Sequence, residues 1–192
     1  MNRSKPMVEP LPVGVYWGRF NPPHRGHLSV VRRFHRDFRL TVVIGSAEHR
    51  DERRNPFSGR ERQQMFEAYL AEVGILDVRV TTLRDGPTLD GAIHRLVRRC
   101  HPDVILLSSD KGRFASTVAR KVRVVRFARR GVVSSTRIRA AIATGRPDWE
   151  RLTGRSVVRL IHQFGGPARI RRAHRSRRRS AGVREGRRRR TR

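Results

Sequence analysis

Cysteine occurs once in the 192 residues, at Cys100. A single thiol excludes an intramolecular disulfide and any cysteine-built zinc site, and it points to a reducing, cytoplasmic compartment. Long apolar runs are missing too. Mean hydropathy is −0.64, and no stretch approaches the roughly 18 apolar residues of a membrane span, which excludes a transmembrane helix. Residues 1–10 hold no apolar segment of the kind a secretory signal needs. Acidic residues are scarce, 16 against 45 basic ones, for a net charge of +29. Lysine is scarcer still, because Lys5, Lys111 and Lys121 stand beside 42 arginines. What is present in quantity is positive charge, over a hydrophobic content of 36% that supports one lean core. Such a balance calls for anionic partners: phosphates, nucleotides or nucleic acid.

The charge is unevenly spread. Residues 169–192 carry 13 arginines and one acid, Glu185, a net +12, and the rest of the chain carries +17. Residues 1–12, with Pro6, Pro10 and Pro12, read as a flexible lead-in. Residues 13–172 read as one domain, and 173–192 as a disordered Arg-rich tail. Within the domain, strand patterns fall at Val13–Trp17, Leu40–Ile44, Leu76–Val80, Asp103–Leu107 and Val122–Phe127. Helical spacing falls at Leu28–Phe34, Thr88–Arg99 and Ala115–Ala119, and from Ser134 or Ser135 to Ala143. Ser58 and Glu61 form a capping-box pattern that opens a helix to about Val73. One or two more helices lie between Trp149 and Phe164 and end at Gly165-Gly166. This alternation predicts an α/β, Rossmann-like, doubly wound parallel five-stranded sheet with C-terminal helices. Sheets of that kind bind ligands beyond the C-terminal ends of their strands, which directs attention to residues 18–27.

That loop reads Gly18-Arg-Phe-Asn-Pro-Pro-His24-Arg-Gly26-His27. Gly18 ends a strand where backbone must pass close to something. Gly26 lies at a helix start, where free N–H groups and the macrodipole favour an anion. His24 and His27 are three apart and share a face of the first turn. With Arg19 they make a polyphosphate site. The competing reading is half of a metal site, but no cysteine or suitably spaced acid completes it. A second cluster, Ser134-Ser135-Thr136-Arg137-Ile138-Arg139, opens the helix after the last strand. Its hydroxyls can cap the helix and reach a phosphate, and Arg139 lies one turn further on. Alone it reads as an N-cap with exposed arginines. Beside the first cluster, at the same sheet edge, it reads as the other half of a phosphate site.

GRFNPPHRGH and SSTRIR resemble the two signatures of the nucleotidyltransferase superfamily with the H-x-G-H motif. Gly45-Ser46-Ala47, the segment Asn55-Pro56-Phe57-Ser58-Gly59-Arg60-Glu61-Arg62, and the late Trp149-Glu150 and Ala168–Arg171 resemble archaeal-type nicotinamide mononucleotide (NMN) adenylyltransferases. The resemblance covers roughly residues 13–172. It implies transfer of AMP from ATP to a nucleotide 5′-phosphate, most simply NMN to NAD, with Mg²⁺ held by the phosphates and no protein metal ligand. It implies catalytic roles for His24, His27 and Arg139. Gly18, Arg19, Phe20, Gly26, Ser134, Ser135 and Thr136 would bind ATP or its phosphates, and the family also implies a homo-oligomer. The family's aromatic near the nicotinamide is absent from Thr88–His94, which leaves another phosphate acceptor open. Asn55 and His94 are the candidate acceptor-binding residues, and Asp110-Lys111 is either a nucleotide contact or an ordinary turn. A function of another class is a catalytically silent protein that binds nucleic acid through the Arg-rich tail. That tail lacks aromatics, so only non-specific, electrostatic binding is expected of it.

Overall fold

The structure is a computed structural model that describes residues 9–50, 53–109, 112–128 and 133–174. Five strands, β1 (Val13–Gly18), β2 (Arg39–Ile44), β3 (Arg79–Thr82), β4 (Val104–Ser108) and β5 (Arg123–Phe127), form one sheet in the order β3-β2-β1-β4-β5. Every pairing is parallel, with Val15 opposite Thr41 on one side and Ile105 on the other. Helices connect them: α1 (Arg25–Phe34), α2 (Gly59–Glu72), α3 (Leu89–Cys100) and α4 (Gly112–Ala119). After β5 come α5 (Ser135–Ala143), a 3-10 segment (Pro147–Leu152) and α6 (Arg155–Gln163).

Side chains alternate across the sheet, so each central strand feeds two cores. Tyr16, Val42, Val104 and Leu106 face α1, α2, α5 and α6. Val15, Trp17, Val43, Ile105 and Leu107 face α3 and α4. Burial on both faces explains why the strands read as continuous apolar runs rather than strict alternation. The strand order turns at β1, whose C-terminal end lies beside that of β4. The crevice between them is the switch point where such sheets bind ligands.

Two segments differ from the sequence expectation. β3 lies about three residues later than the Leu76–Val80 alternation suggests. Leu76 is 83% exposed on the preceding turn, and Val78 and Val80 carry the burial. The helices also do not end at Gly165-Gly166. Gly165 breaks the run at φ +66°, and a further helix, α7, occupies residues 166–174. Ile170 is buried, and Arg169 pairs with Glu61 at 2.8 Å, so this helix packs on the domain. A β-carbon at Gly166 would lie 2.6 Å from the Phe57 ring, which fixes glycine where α7 meets the core. The rest of the Arg-rich tail, like residues 1–8 of the lead-in, lies outside the described residues. No described helix is long and apolar enough to cross a membrane.

Candidate active site

A cavity of about 810 Å³ opens at the β1/β4 crevice. It brings together Gly18, Arg19, Phe20, His24, Gly26 and His27 from the first loop and Ser134, Ser135, Thr136 and Arg139 from α5. Two expected acceptor residues stand apart from this lining. Asn55 is buried, and His94 is exposed on α3. Asp110-Lys111 lies outside the described residues.

The loop has a local logic. Phe20 takes φ +49°, a left-handed conformation that a β-carbon makes uncommon, and the Asn21–Pro22 peptide is cis. The turned Phe20 ring folds back over Gly18, where a β-carbon would meet it at 2.8 Å. Glycine at 18 and phenylalanine at 20 are therefore one requirement. The Phe20 ring then stands edge-on to His27, 4.8 Å between centroids and 85° between planes. His27 stacks on His24 at 3.6 Å.

The two imidazoles also cap α1. The Gly26 N–H donates to His24 Nδ1 (3.1 Å), and the His24 N–H donates to His27 Nδ1 (3.2 Å). The N–H at Gly26 is thus engaged rather than bare, contrary to the sequence expectation. Because both Nδ1 atoms accept, the neutral rings carry their protons on Nε2. The backbone thus favours the tautomer whose donor edge is Nε2–H.

Three successive carbonyls of the loop are fastened by the C-terminal third of the chain. Arg139 Nη1 donates to Asn21 O (2.7 Å), Ser135 Oγ to Pro22 O (2.9 Å), and Thr153 Oγ1 to Pro23 O (2.9 Å). Arg139 Nη2 also donates to Thr136 Oγ1, and Ser134 Oγ accepts from the Arg137 N–H as the N-cap of α5. Asn21 is buried, and its Nδ2 donates to Phe57 O while its Oδ1 has no hydrogen-bond partner.

The electrostatics have one sign. Arg19, Arg32, Arg33, Arg54 and Arg139 line the cavity, and no Asp or Glu does among the described residues. Burial, reinforced by Arg19, Arg53 and Arg54, lowers the Arg139 guanidinium to about 10. Arg54 is invisible as a site residue in the sequence, where one arginine among 42 gives no contrast. The donor set suits phosphate oxygens. Among the described residues no group of three His, Cys, Asp or Glu is gathered as a metal site would gather them.

The chain belongs to the cytidylyltransferase-like family, whose sequence profile matches residues 15–141. Within that class its similarity is to nicotinamide-nucleotide adenylyltransferases. The enzyme of that name from Pyrobaculum neutrophilum is 32% identical over 170 residues, 82% of this chain and 91% of that one. Nicotinamide-nucleotide adenylyltransferase 1 of Sulfolobus acidocaldarius is 33% identical over 82% of this chain and 93% of its own. Among solved structures, a bifunctional NMN adenylyltransferase/ADP ribose pyrophosphatase from Francisella tularensis, complexed with AMP and a manganese ion, superposes with a TM-score of 0.68 at 19% identity. That match covers 85% of this chain and about half (52%) of the longer one, and it speaks to the fold.

Proposed function

We propose that the chain is a nicotinamide-nucleotide adenylyltransferase, which transfers AMP from ATP to the 5′-phosphate of NMN to give NAD and pyrophosphate. The observation that carries this reading is the cavity at the sheet switch point, which pairs two imidazoles, each with Nδ1 on a main-chain N–H, with five guanidiniums and, among the described residues, no acid. The names of the relatives supply the substrates. The attacking group is an NMN phosphate oxygen, already an anion, so no protein base is required. It bonds to the α-phosphorus of ATP, and the bond from that phosphorus to the bridging oxygen breaks with its electrons on pyrophosphate.

The protein's work is positioning and charge stabilisation. His24 and His27 donate to the α-phosphoryl oxygens as charge builds there. Arg19, Arg54 and Arg139 receive the β- and γ-phosphates, and the hydroxyls of Ser134 and Thr136 add neutral donors. Mg²⁺ enters as part of the substrate, carried on the ATP phosphates.

Incubation with ATP, Mg²⁺ and NMN should release pyrophosphate and form NAD in equal amounts, read by a dehydrogenase-coupled absorbance. Pyrophosphate without NMN consumption, from a panel of other phosphate acceptors, would shift the reading to a different acceptor. The aromatic-free stretch Thr88–His94, with His94 exposed, is why nicotinate mononucleotide belongs in that panel. No turnover with any acceptor would favour the nucleic-acid reading.

A further inference from the structure

Beneath the cavity lies a guanidinium that none of the phosphate motifs contains. Arg62, on the first turn of α2, is 0% exposed, the largest fully buried side chain of the described residues. Buried charges in proteins are ordinarily paired with opposite charge. Arg62 instead makes its hydrogen bonds to main-chain carbonyls. Nη1 donates to Arg19 O (2.8 Å) and Gly45 O (2.8 Å), Nη2 to Ser46 O (2.7 Å), and Nε to Ser58 O (3.1 Å). These N–H groups thus reach three separate segments: the residue after β1, the residues after β2, and the N-cap of α2. A planar fork with five donors can do this, and an ammonium with three cannot.

Of the segments it joins, the one at Arg19 reaches the cavity, while Gly45-Ser46 and Ser58 stand outside its lining. Arg19 lines the wall, and Ser46, at φ +51°, is pinned from its other side by Asp85 through both its N–H and its hydroxyl. Without Arg62, the carbonyls of Arg19, Gly45 and Ser46 would be left without this donor beneath the site, and each would turn toward water.

We propose that Arg62 is a positioning residue of the adenylyl-transfer reaction, which sets the main chain of Arg19 and of Gly45-Ser46 so that the Arg19 guanidinium meets the nucleotide phosphates. The inference rests on the function proposed above. Arg62 touches no substrate and acts through Arg19. Burial lowers the Arg62 guanidinium to about 10, opposed by the charge of Asp85.

The test compares wild type, R62K, R19A and the R62K/R19A double variant. R62K keeps the charge and loses the fork. It should keep a cooperative melt and native circular dichroism, yet lose about 10²-fold in kcat/KM for ATP, the scale of a misplaced binding group. Calorimetry with α,β-methylene-ATP should show weaker binding, while adenosine, which has no phosphate, binds as to wild type. In the double variant the loss should not exceed that of R19A alone, because the two act as one unit. A fully additive loss, or R62K with wild-type kcat/KM and analogue affinity, would overturn the proposal. So would a loss confined to Tm. If R62K does not fold, wild-type NMR decides. The Arg62 side-chain N–H resonances should exchange slowly with water and shift on addition of α,β-methylene-ATP but not of adenosine; resonances that ignore the triphosphate would refute it. A wild-type chain with no turnover defeats the functional reading, whereas an active wild type beside an unaffected R62K defeats this inference alone.

Discussion

His27 joins an observed role on one edge of its ring to a proposed one on the other. Its Nδ1 accepts the His24 N–H at the start of α1, and its Nε2–H is the donor assigned to the transition state. The two roles can be separated. In His27→Asn the amide oxygen stands near the position of Nδ1, so the cap survives and the outward donor is lost. We expect a Tm close to wild type and kcat lower by about 10²–10³, roughly 3–4 kcal/mol for one preorganised donor. His27→Ala removes both and should also lose about 1 kcal/mol of stability from the helix start. Paired thermal melts and steady-state rates decide, and near-full turnover in His27→Asn would remove the donor role. Arg139→Ala should raise the ATP KM at least tenfold, about 1.4 kcal/mol, and loosen the Asn21 carbonyl it holds. The histidines and Arg139 are legible in the sequence because a loop between strand and helix, and a hydroxyl-rich helix start, are places where such residues meet phosphate. Arg54 is not, because one arginine among 42 gives no contrast, and Arg62, though it closes the Asn55–Arg62 segment, is told from an exposed arginine only by its three-dimensional placement. Phe20 reads in the sequence as a nucleotide contact. Its ring lines the cavity, and its burial also explains why a glycine must precede it by two residues and how His27 is backed.

Among the elements, α6 is attached by an acid that caps a foreign helix. Glu72, at the end of α2, accepts from the N–H groups of Arg155 (3.0 Å) and Ser156 (2.7 Å) and from the Ser156 hydroxyl. Gly154, the N-cap of α6, has no side chain to do this. Partial burial opposes ionisation of Glu72, yet these bonds from Ser156 and Arg155 hold its carboxyl below the ordinary 4.5. A depressed folded value contributes stability above the unfolded value and loses it as pH falls through the folded one. Glu72→Gln should therefore lower Tm at pH 7 by about 3 °C, the shift that ~1 kcal/mol produces in a chain of this size. The difference between variant and wild type should shrink at acid pH, as pH falls through the lowered folded value of Glu72. Melts at pH 7 and at acid pH check it, and a pH-independent difference would contradict the assignment. The long elements are readable from apolar period alone. β3 is displaced because Leu76 imitates a strand position while pointing into solvent, and α7 shows no helical period in the sequence because Ile170 is its single buried large apolar residue.

For the whole molecule, the boundary between enzyme and tail follows from α7. We expect a chain ending after His174 to keep its melt and its turnover. Ending after Gly165 should lower Tm, since that removes Ile170 from the core and Arg169 from Glu61. Comparing the full chain with the one ending after His174 separates two sources of non-specific nucleic-acid binding. If the arginines beyond 174 carry it, the shorter chain should bind DNA more weakly at low salt, with a salt slope reduced by roughly 0.7–0.9 for every phosphate those arginines neutralise. Equal binding by both would assign it to the basic domain instead. The fastening of Asn21, Pro22 and Pro23 bears also on the order in which the molecule is made. On a ribosome the histidine pair emerges early, and β1 can pair with β2 long before β4 is available. The donors for those three carbonyls come from Arg139, Ser135 and Thr153, so the loop is not fixed until most of the chain has been translated. A nascent fragment carrying the signature loop therefore lacks the contacts that fix it until Thr153 has been added.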